Sequence, residues 1–172
     1  PFTMVDHSTA TPMRMAYETP HTLGPDRIAA VAGAHTTFKN NACLVIDAGT
    51  CITYDYLDRE GIYRGGAIAP GIDMRFRALH KFTASLPVVA RSNRHALIGS
   101  STRSCMVSGV LNGVLNEVQC TIEAYRKIEP AIRVVLCGGD SKFFEKRTKG
   151  RIFALPNLVL TGLNEIYGVH VL

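Results

Sequence analysis

Apolar positions recur with two different periods along this chain, and each period predicts its own kind of element. Between residues 43 and 69 apolar and polar residues alternate, which is typical of strands. Beyond residue 72 the apolar residues recur at helical spacing, in segments that alternate with short apolar runs. The pattern predicts strands at 43–47, 51–56, 63–69, 133–137 and 152–155. It predicts helices at 72–82, 102–127 and 157–167, and one more after the turn at 138–140.

The first part of the chain is less regular. Residues 1–25 show little periodicity and are expected to form extended chain and loop. A helix is predicted from Asp26, with Ile28 and Val31 on one face and Gly33 as its expected end.

The order of these elements predicts the fold class. Three adjacent strands joined by tight turns are followed by helix, strand, helix, strand and helix. A meander followed by alternating units implies an α/β domain with a mixed sheet covered by helices. This is the ribonuclease H-like arrangement, which also builds each half of the actin and sugar-kinase superfamily. Because a fold does not specify a function, the function has to be argued from particular residues.

Composition excludes several classes of protein. Of the 172 residues, 47% are hydrophobic and 19% are charged, which is too apolar for a disordered chain. No apolar run approaches the roughly 20 residues of a membrane helix. The net charge of +5 is spread thinly, without the basic stripe and interleaved aromatics of a nucleic-acid binder. We therefore expect neither a membrane nor a nucleic-acid partner.

The cysteines and histidines indicate a reducing compartment and no metal site of their own. The five cysteines are scattered and form no C-x-x-C pair, and the six histidines show no metal-binding spacing. Reduced thiols in a cytoplasm are the simplest interpretation.

The first candidate for chemistry is the turn Asp47-Ala48-Gly49-Thr50, at the end of a predicted strand. Glycine lets backbone N–H groups approach phosphate oxygens, and Thr50 can donate a further hydrogen bond. Asp47 can hold a cation that neutralises phosphate charge. The same residues also fit an ordinary hairpin whose aspartate caps the turn.

The second candidate is Gly24-Pro25-Asp26-Arg27, where a loop enters a helix. Asp26 fits a helix N-cap, and it also fits a base that accepts a proton from a substrate hydroxyl. Arg27 is always charged and can bind a carboxylate.

Two glycine-rich segments complete the set. Cys137-Gly138-Gly139-Asp140 joins a strand to a helix and leaves room for a flat ligand such as adenine, although a tight packing turn explains it equally well. The small residues between Gly65 and Gly71 allow close approach between backbone elements.

Taken together and in order, these segments resemble one family, the type III pantothenate kinases, which are actin-like kinases that open coenzyme A synthesis in many bacteria. Each motif is weak alone, but the ordered set covers nearly the whole chain. The matching segments are Tyr17-Glu18-Thr19-Pro20, Leu23-Gly24-Pro25-Asp26-Arg27, Asp47-Ala48-Gly49-Thr50-Cys51-Ile52-Thr53-Tyr54-Asp55, Gly65-Gly66-x-Ile68-x-Pro70-Gly71, Ser101-Thr102 with Ser108-Gly109-Val110, and Gly138-Gly139-Asp140.

The resemblance implies transfer of the γ-phosphoryl group of ATP to the primary hydroxyl of pantothenate, with Asp26 as general base. It implies that pantothenate is held by Tyr17, Gly24, Pro25, Asp26, Arg27 and Thr102. It implies that ATP is bound by Gly49, Thr50, Gly138 and Gly139. Asp47 would hold a monovalent cation, K⁺ or NH₄⁺, and Mg²⁺ would bridge the phosphates. Asp55 shares a strand face with Thr53 and would contact metal through water. The resemblance also implies a homodimer with both protomers contributing to the pantothenate pocket.

The chain departs from the family pattern in two ways. Cysteine replaces a smaller or polar residue at Cys51 and Cys137, and Cys105-Met106 stands where Ala-Ile is usual. The family's first phosphate loop, D-x-G-N-T, has no counterpart before Tyr17. We therefore expect residues 1–40 to be the tail of a preceding ribonuclease H-like domain whose N-terminal part is missing here, and 41–172 to be a second such domain.

Two other functions stay open at this point. A ribonuclease H-like nuclease would use Asp47 and Asp55 as a metal-binding pair. A binding-competent but inactive fragment, or a kinase-like regulatory or binding module, would keep the same motifs without turnover.

Overall fold

The computed structural model describes residues 5–92 and 95–171, with the backbone alone at residues 170 and 171. Within these ranges the strands are β1 (Arg14–Met15), β2 (Cys43–Ala48), β3 (Cys51–Leu57), β4 (Ile62–Pro70), β5 (Arg133–Cys137) and β6 (Phe153–Ala154). The helices are α1 (Pro25–Thr37), α2 (Ile72–Lys81), α3 (Thr102–Ile128), α4 (Ser141–Glu145) and α5 (Leu158–Val171), with a short 3₁₀ turn at Pro20–Thr22.

The strands form one mixed sheet in the order β1-β4-β3-β2-β5-β6. Strands β2, β3 and β4 are an antiparallel meander, whereas β5 runs parallel to β2 and β6 parallel to β5. Parallel neighbours need a crossover, and α3 and α4 supply the crossovers into β5 and β6. The register places Asp47 of β2 between Thr53 of β3 and Cys137 of β5.

Helices cover both faces of the sheet and build two separate layers of core. On one face, side chains of α2, α3 and α4 pack against alternate residues of β2 such as Leu44 and Ile46. On the other face, α1 and α5 pack against Cys43 and Val45 of the same strand. The prediction of a mixed sheet covered by helices in the ribonuclease H-like arrangement is confirmed. Among the described residues, no helix is long and apolar enough to span a membrane.

The predicted end of the first helix at Gly33 is wrong, because α1 continues to Thr37. Gly33 lies inside the helix and faces α5, where an added Cβ would stand 2.5 Å from the carbonyl oxygen of Leu158. This glycine therefore permits a close helix crossing. Strand β1 is also new: its two residues lie in a segment expected to be loop, and they pair with β4 to form the edge of the sheet.

The proposed division of the chain at residue 40 stays a prediction. Helix α1 lies before that boundary, yet it shares a core with α5, and most of its residues between Arg27 and Ala34 are fully buried there.

Candidate active site

Three loops meet at the edge of the sheet where β2 and β5 end. Gly49 and Thr50 form the hairpin between β2 and β3. The hairpin is tied to the start of α2, because the Gly71 N–H donates to the Thr50 carbonyl at 3.0 Å. It is tied to the turn after β5 by the Asp140 N–H, which donates to the Ala48 carbonyl at 2.8 Å. The predicted phosphate hairpin and the predicted adenosine turn are therefore neighbours.

A cavity of about 270 Å³ opens between these loops. Its lining residues come from the hairpin, from α2 and from the turn after β5, and they are Gly49, Thr50, Asp73, Met74, Arg77, Gly139 and Asp140. Arg77 brings a cation to a cavity of a size that suits a phosphate chain. Sequence reasoning missed Arg77, since nothing in the spacing of α2 separates it from an ordinary exposed arginine.

The two glycines of the adenosine turn do different things. Gly138 has a φ of +86°, and a Cβ there would stand 2.3 Å from Asp47 Oδ1. A side chain at Gly138 would be strained and would also displace the Asp47 carboxylate. A Cβ on Gly139 would meet nothing within 4 Å, and Gly139 lines the cavity directly.

Asp47 is the last residue but one of β2 and is half-buried. Burial raises the pKa of its carboxyl group, and the nearby charges of Asp26 and Asp55 raise it further. The thiol of Cys137 hydrogen-bonds this carboxylate, and burial raises the pKa of that thiol, so it stays a neutral donor. The Asp47 carboxylate is thus near two other carboxylates, those of Asp26 and Asp55, and this environment favours a bound cation.

The acceptor-side loop enters α1 beside this carboxylate. Gly24 is the N-cap, and Pro25 occupies the first helical position, where its missing N–H is no loss. Asp26 follows in the first turn and is exposed to solvent. Its Oδ1 accepts the backbone N–H of Arg27 at 2.9 Å.

Arg27 enters a buried network instead of pointing into solvent. Its Nε and Nη2 donate to Asp55 Oδ1 at 3.0 and 2.6 Å. The hydroxyl of Tyr63 donates to the same oxygen at 2.6 Å. Tyr17 stacks on Tyr63 with 5.8 Å between ring centroids, and the Arg27 guanidinium lies 5.8 Å from the Tyr17 ring centroid. Burial alone would lower the pKa of Arg27, but Asp55 more than offsets this and raises it, so the guanidinium stays charged.

This network gives Arg27, Asp55 and Tyr63 partners within the protein itself. Only 8% of the Arg27 side chain is exposed, and its ion-pair partner is an internal carboxylate. Asp55, expected to contact metal through water, uses one oxygen for Arg27 and Tyr63, while its Oδ2 and Thr53 Oγ1 have no hydrogen-bond partner among the described residues. Sequence reasoning missed Tyr63. The signal for it was a tyrosine of β4 that pairs with Leu57, two residues along the same face of β3 from Asp55.

Thr102 lies elsewhere in the chain. It is the first residue of α3 and lines a mainly apolar groove of about 910 Å³ between α2 and α3. That groove is on the opposite face of the sheet from α1. One copy of the chain therefore brings Tyr17, Gly24, Pro25, Asp26 and Arg27 together but leaves Thr102 apart.

The nuclease alternative needs Asp47 and Asp55 as a metal-binding pair. Within 5–92 and 95–171, no group of three or more histidine, cysteine, aspartate or glutamate side chains is placed to hold a metal ion. A two-metal nuclease site needs several converging carboxylates. Asp55 is instead committed to Arg27.

Comparison with known proteins identifies the family of the chain. The family described as "Type III pantothenate kinase" matches residues 1–124. A type III pantothenate kinase of Christiangramia forsetii is 47% identical over 162 residues, covering 94% of this chain and 67% of the relative. The corresponding enzyme of Cytophaga hutchinsonii is 45% identical over 163 residues, covering 95% of this chain and 69% of the relative. The chain thus spans about two thirds of the length of these relatives.

A solved structure shares the fold. A Campylobacter jejuni protein assigned to the Baf family of transcriptional activators superposes with a TM-score of 0.61 at 24% identity, covering 91% of this chain and 68% of that one. At that identity the likeness concerns the fold alone. The family match and the two relatives lead to one conclusion: this chain belongs to the type III pantothenate kinases.

Proposed function

We propose that this chain supplies the acceptor loop, the general base and the second phosphate hairpin of a kinase that phosphorylates pantothenate with ATP, the first step of coenzyme A biosynthesis. The family match over residues 1–124 supports this most strongly. The charge of Asp26 also contributes to the raised pKa of Asp47, behind the effect of burial. In this proposal the acceptor loop and the phosphate hairpin face one reaction centre.

The chemistry needs a proton acceptor at the hydroxyl of pantothenate. The hydroxyl oxygen forms a bond to the γ-phosphorus of ATP, the bond from that phosphorus to the β–γ bridging oxygen breaks, and ADP leaves. Asp26 takes the hydroxyl proton, a role that contributes typically about 10²–10⁴-fold to the rate. Its exposure gives a substrate hydroxyl access to it.

The phosphates of ATP fit the cavity beside the hairpin. Gly49 and Thr50 present backbone and hydroxyl groups on one side, and Gly139 lines the other. Gly138 contributes by its lack of a side chain, which lets the turn close on Asp47. Arg77 adds a positive charge that the phosphates require, since phosphoryl transfer depends mainly on positioning and charge neutralisation.

Oxygen donors near Asp47 fit a hard cation. Asp47 is crowded by negative charge, and Thr53 Oγ1 and Asp55 Oδ2 lack hydrogen-bond partners within the described residues. Carboxylate and hydroxyl oxygens are ligands that K⁺ and Mg²⁺ accept. In this proposal Asp47 holds a monovalent cation, K⁺ or NH₄⁺, and Mg²⁺ binds through the phosphates of ATP. When bound, these ions neutralise phosphate charge.

Pantothenate lies along the acceptor loop, against Tyr17, Gly24, Pro25 and Arg27. Because Thr102 is on the other face of the same chain, we propose that a second copy brings its Thr102 to this pocket in a homodimer. The apolar groove between α2 and α3 is the surface on which such a copy would pack. We place the reaction in the cytoplasm, where ATP is available and thiols stay reduced.

The test is ADP formation by the full-length protein with ATP and Mg²⁺, with and without pantothenate. ADP that appears only with pantothenate, together with phosphopantothenate identified by mass spectrometry, supports the proposal. Binding of both ligands without turnover would instead favour a kinase-like regulatory or binding module.

A further inference from the structure

We propose that Asp55 and Tyr63 are positioning residues that act through Arg27 to hold the general base Asp26 in place. The inference rests on the proposed function and extends it to residues to which the proposed reaction assigns no direct contact with substrate. In α1 the side chain of Arg27 is anchored to the sheet, whereas the side chain of the preceding residue, Asp26, is exposed to solvent.

Asp55 and Tyr63 form a buried anchor that holds the Arg27 side chain in one orientation. Two guanidinium nitrogens reach the same oxygen of Asp55, at 3.0 and 2.6 Å, and Asp55 is completely buried. The Tyr63 hydroxyl fixes that oxygen from the neighbouring strand at 2.6 Å. Burial and the Asp55 charge raise the pKa of Tyr63, so its hydroxyl stays protonated and donates. Three hydrogen bonds to the one oxygen of a buried carboxylate leave the Arg27 side chain little freedom of movement.

Arg27 connects this anchor to Asp26 directly. The side chain of Arg27 binds Asp55, while its backbone N–H donates to Asp26 Oδ1 at 2.9 Å. The same N–H also donates to the Gly24 carbonyl oxygen at 3.1 Å, so Arg27 joins the buried anchor, the start of α1 and the catalytic carboxylate. Misplacement of a reacting group by about 1 Å can lower a rate by about 100-fold.

The network also limits the negative charge beneath the site. Arg27 offsets the charge of Asp55 in part, and the charge of Asp55 that remains still raises the pKa of the Asp47 carboxyl group. Loss of the pair would leave either an unpaired buried cation or an unpaired buried anion, and both are unfavourable. The pair therefore keeps α1 docked while Asp26 stays exposed.

The experiment compares two tyrosines of the same sheet. Tyr63→Phe removes the hydroxyl that fixes Asp55 and keeps the ring. Tyr54→Phe is the matched control, because Tyr54 is equally buried on β3 but its hydroxyl donates to Glu117 on the other face of the sheet. Each change is made in the wild-type full-length protein and in an Asp26→Asn background, and kcat and KM for pantothenate are measured for all four variants.

We expect Tyr63→Phe to lower kcat about tenfold in the wild-type background, as loss of a hydrogen bond to a charged group predicts. In the Asp26→Asn background the same change should alter kcat less than about twofold, because the group that it positions is already lost. Tyr54→Phe should have an effect of less than about twofold in both backgrounds. Thermal unfolding of each variant shows that the comparison is made on folded protein.

Arg27→Lys provides a second measurement that does not depend on Tyr63. Lysine keeps the charge but not the two-nitrogen contact with Asp55, so the same dependence on the Asp26 background is expected. Equal losses of kcat in both backgrounds, or a Tyr63→Phe effect no larger than that of Tyr54→Phe, would overturn the positioning role. A wild-type protein without pantothenate-dependent turnover would overturn the proposed function, and this inference with it.

Discussion

Replacing Gly162 by alanine should force apart the two helices that carry and support the acceptor loop. In the structure, a Cβ on Gly162 of α5 would stand 1.7 Å from the carbonyl oxygen of Ala29 on α1 and 2.6 Å from its carbon. Both are backbone atoms and cannot rotate away. An ordinary contact would require the helices to separate by more than about 1.5 Å at this point.

The expected loss of stability follows from two opposing effects. Overpacking of a closed interface costs typically about 1–3 kcal/mol, and a clash with backbone belongs at the upper end. Alanine is better than glycine inside a helix by about 1 kcal/mol, which offsets part of that loss. The net decrease in the free energy of unfolding should be about 2 kcal/mol. For a chain of this size that lowers Tm by roughly 4–8 °C.

Gly168→Ala in the same helix is the control. A Cβ at Gly168 would meet nothing within 4 Å, so only the gain in helix propensity remains. Tm should rise slightly or stay unchanged. Both variants are compared with wild type by circular dichroism during thermal and urea unfolding. A Gly162→Ala protein as stable as Gly168→Ala would refute the close packing of α1 on α5.

Three further outcomes are expected. Asp26→Asn should lower kcat by about 10²–10⁴-fold with little change in pantothenate affinity measured by calorimetry, and a near-normal steady-state rate would remove its role as base. Turnover should be faster in K⁺ than in Na⁺ at equal ionic strength, whereas equal rates would argue against the cation role of Asp47. Asp58→Asn should lower Tm at pH 7, because the Ile62 N–H and Arg64 outweigh burial and lower the pKa of Asp58. A lowered pKa means that this stabilisation is present above about pH 4 and is lost on further acidification, so the Tm difference from wild type should shrink there.

Much of the architecture follows from local patterns in the sequence. The alternation between residues 43 and 69 predicts the meander, and the helical spacing after residue 102 predicts α3 to within a residue at either end. The spacing of apolar residues shows which side of a helix or strand faces the core. It can therefore be interpreted without knowing which other element packs against that side. The turn of Asp47 to Thr50 and the entry into α1 at Asp26 were readable for the same reason, since caps and turns depend on neighbouring residues.

The partners of those residues were decided by the tertiary structure. From the sequence, Arg27 is predicted to bind the carboxylate of a ligand. In the structure it binds the buried carboxylate of Asp55, 28 positions further along the chain. Gly33 is predicted to end a helix. In the structure it lies where α1 crosses α5, a helix that comes more than 100 residues later in the chain. Thr102 matches the substrate motif but lies across the sheet from Asp26. Local patterns in the sequence predicted most of the elements, and its motifs predicted the family and most residues of the proposed site. Only folding decided which charges meet and which face each residue occupies, because those contacts join segments far apart in the chain.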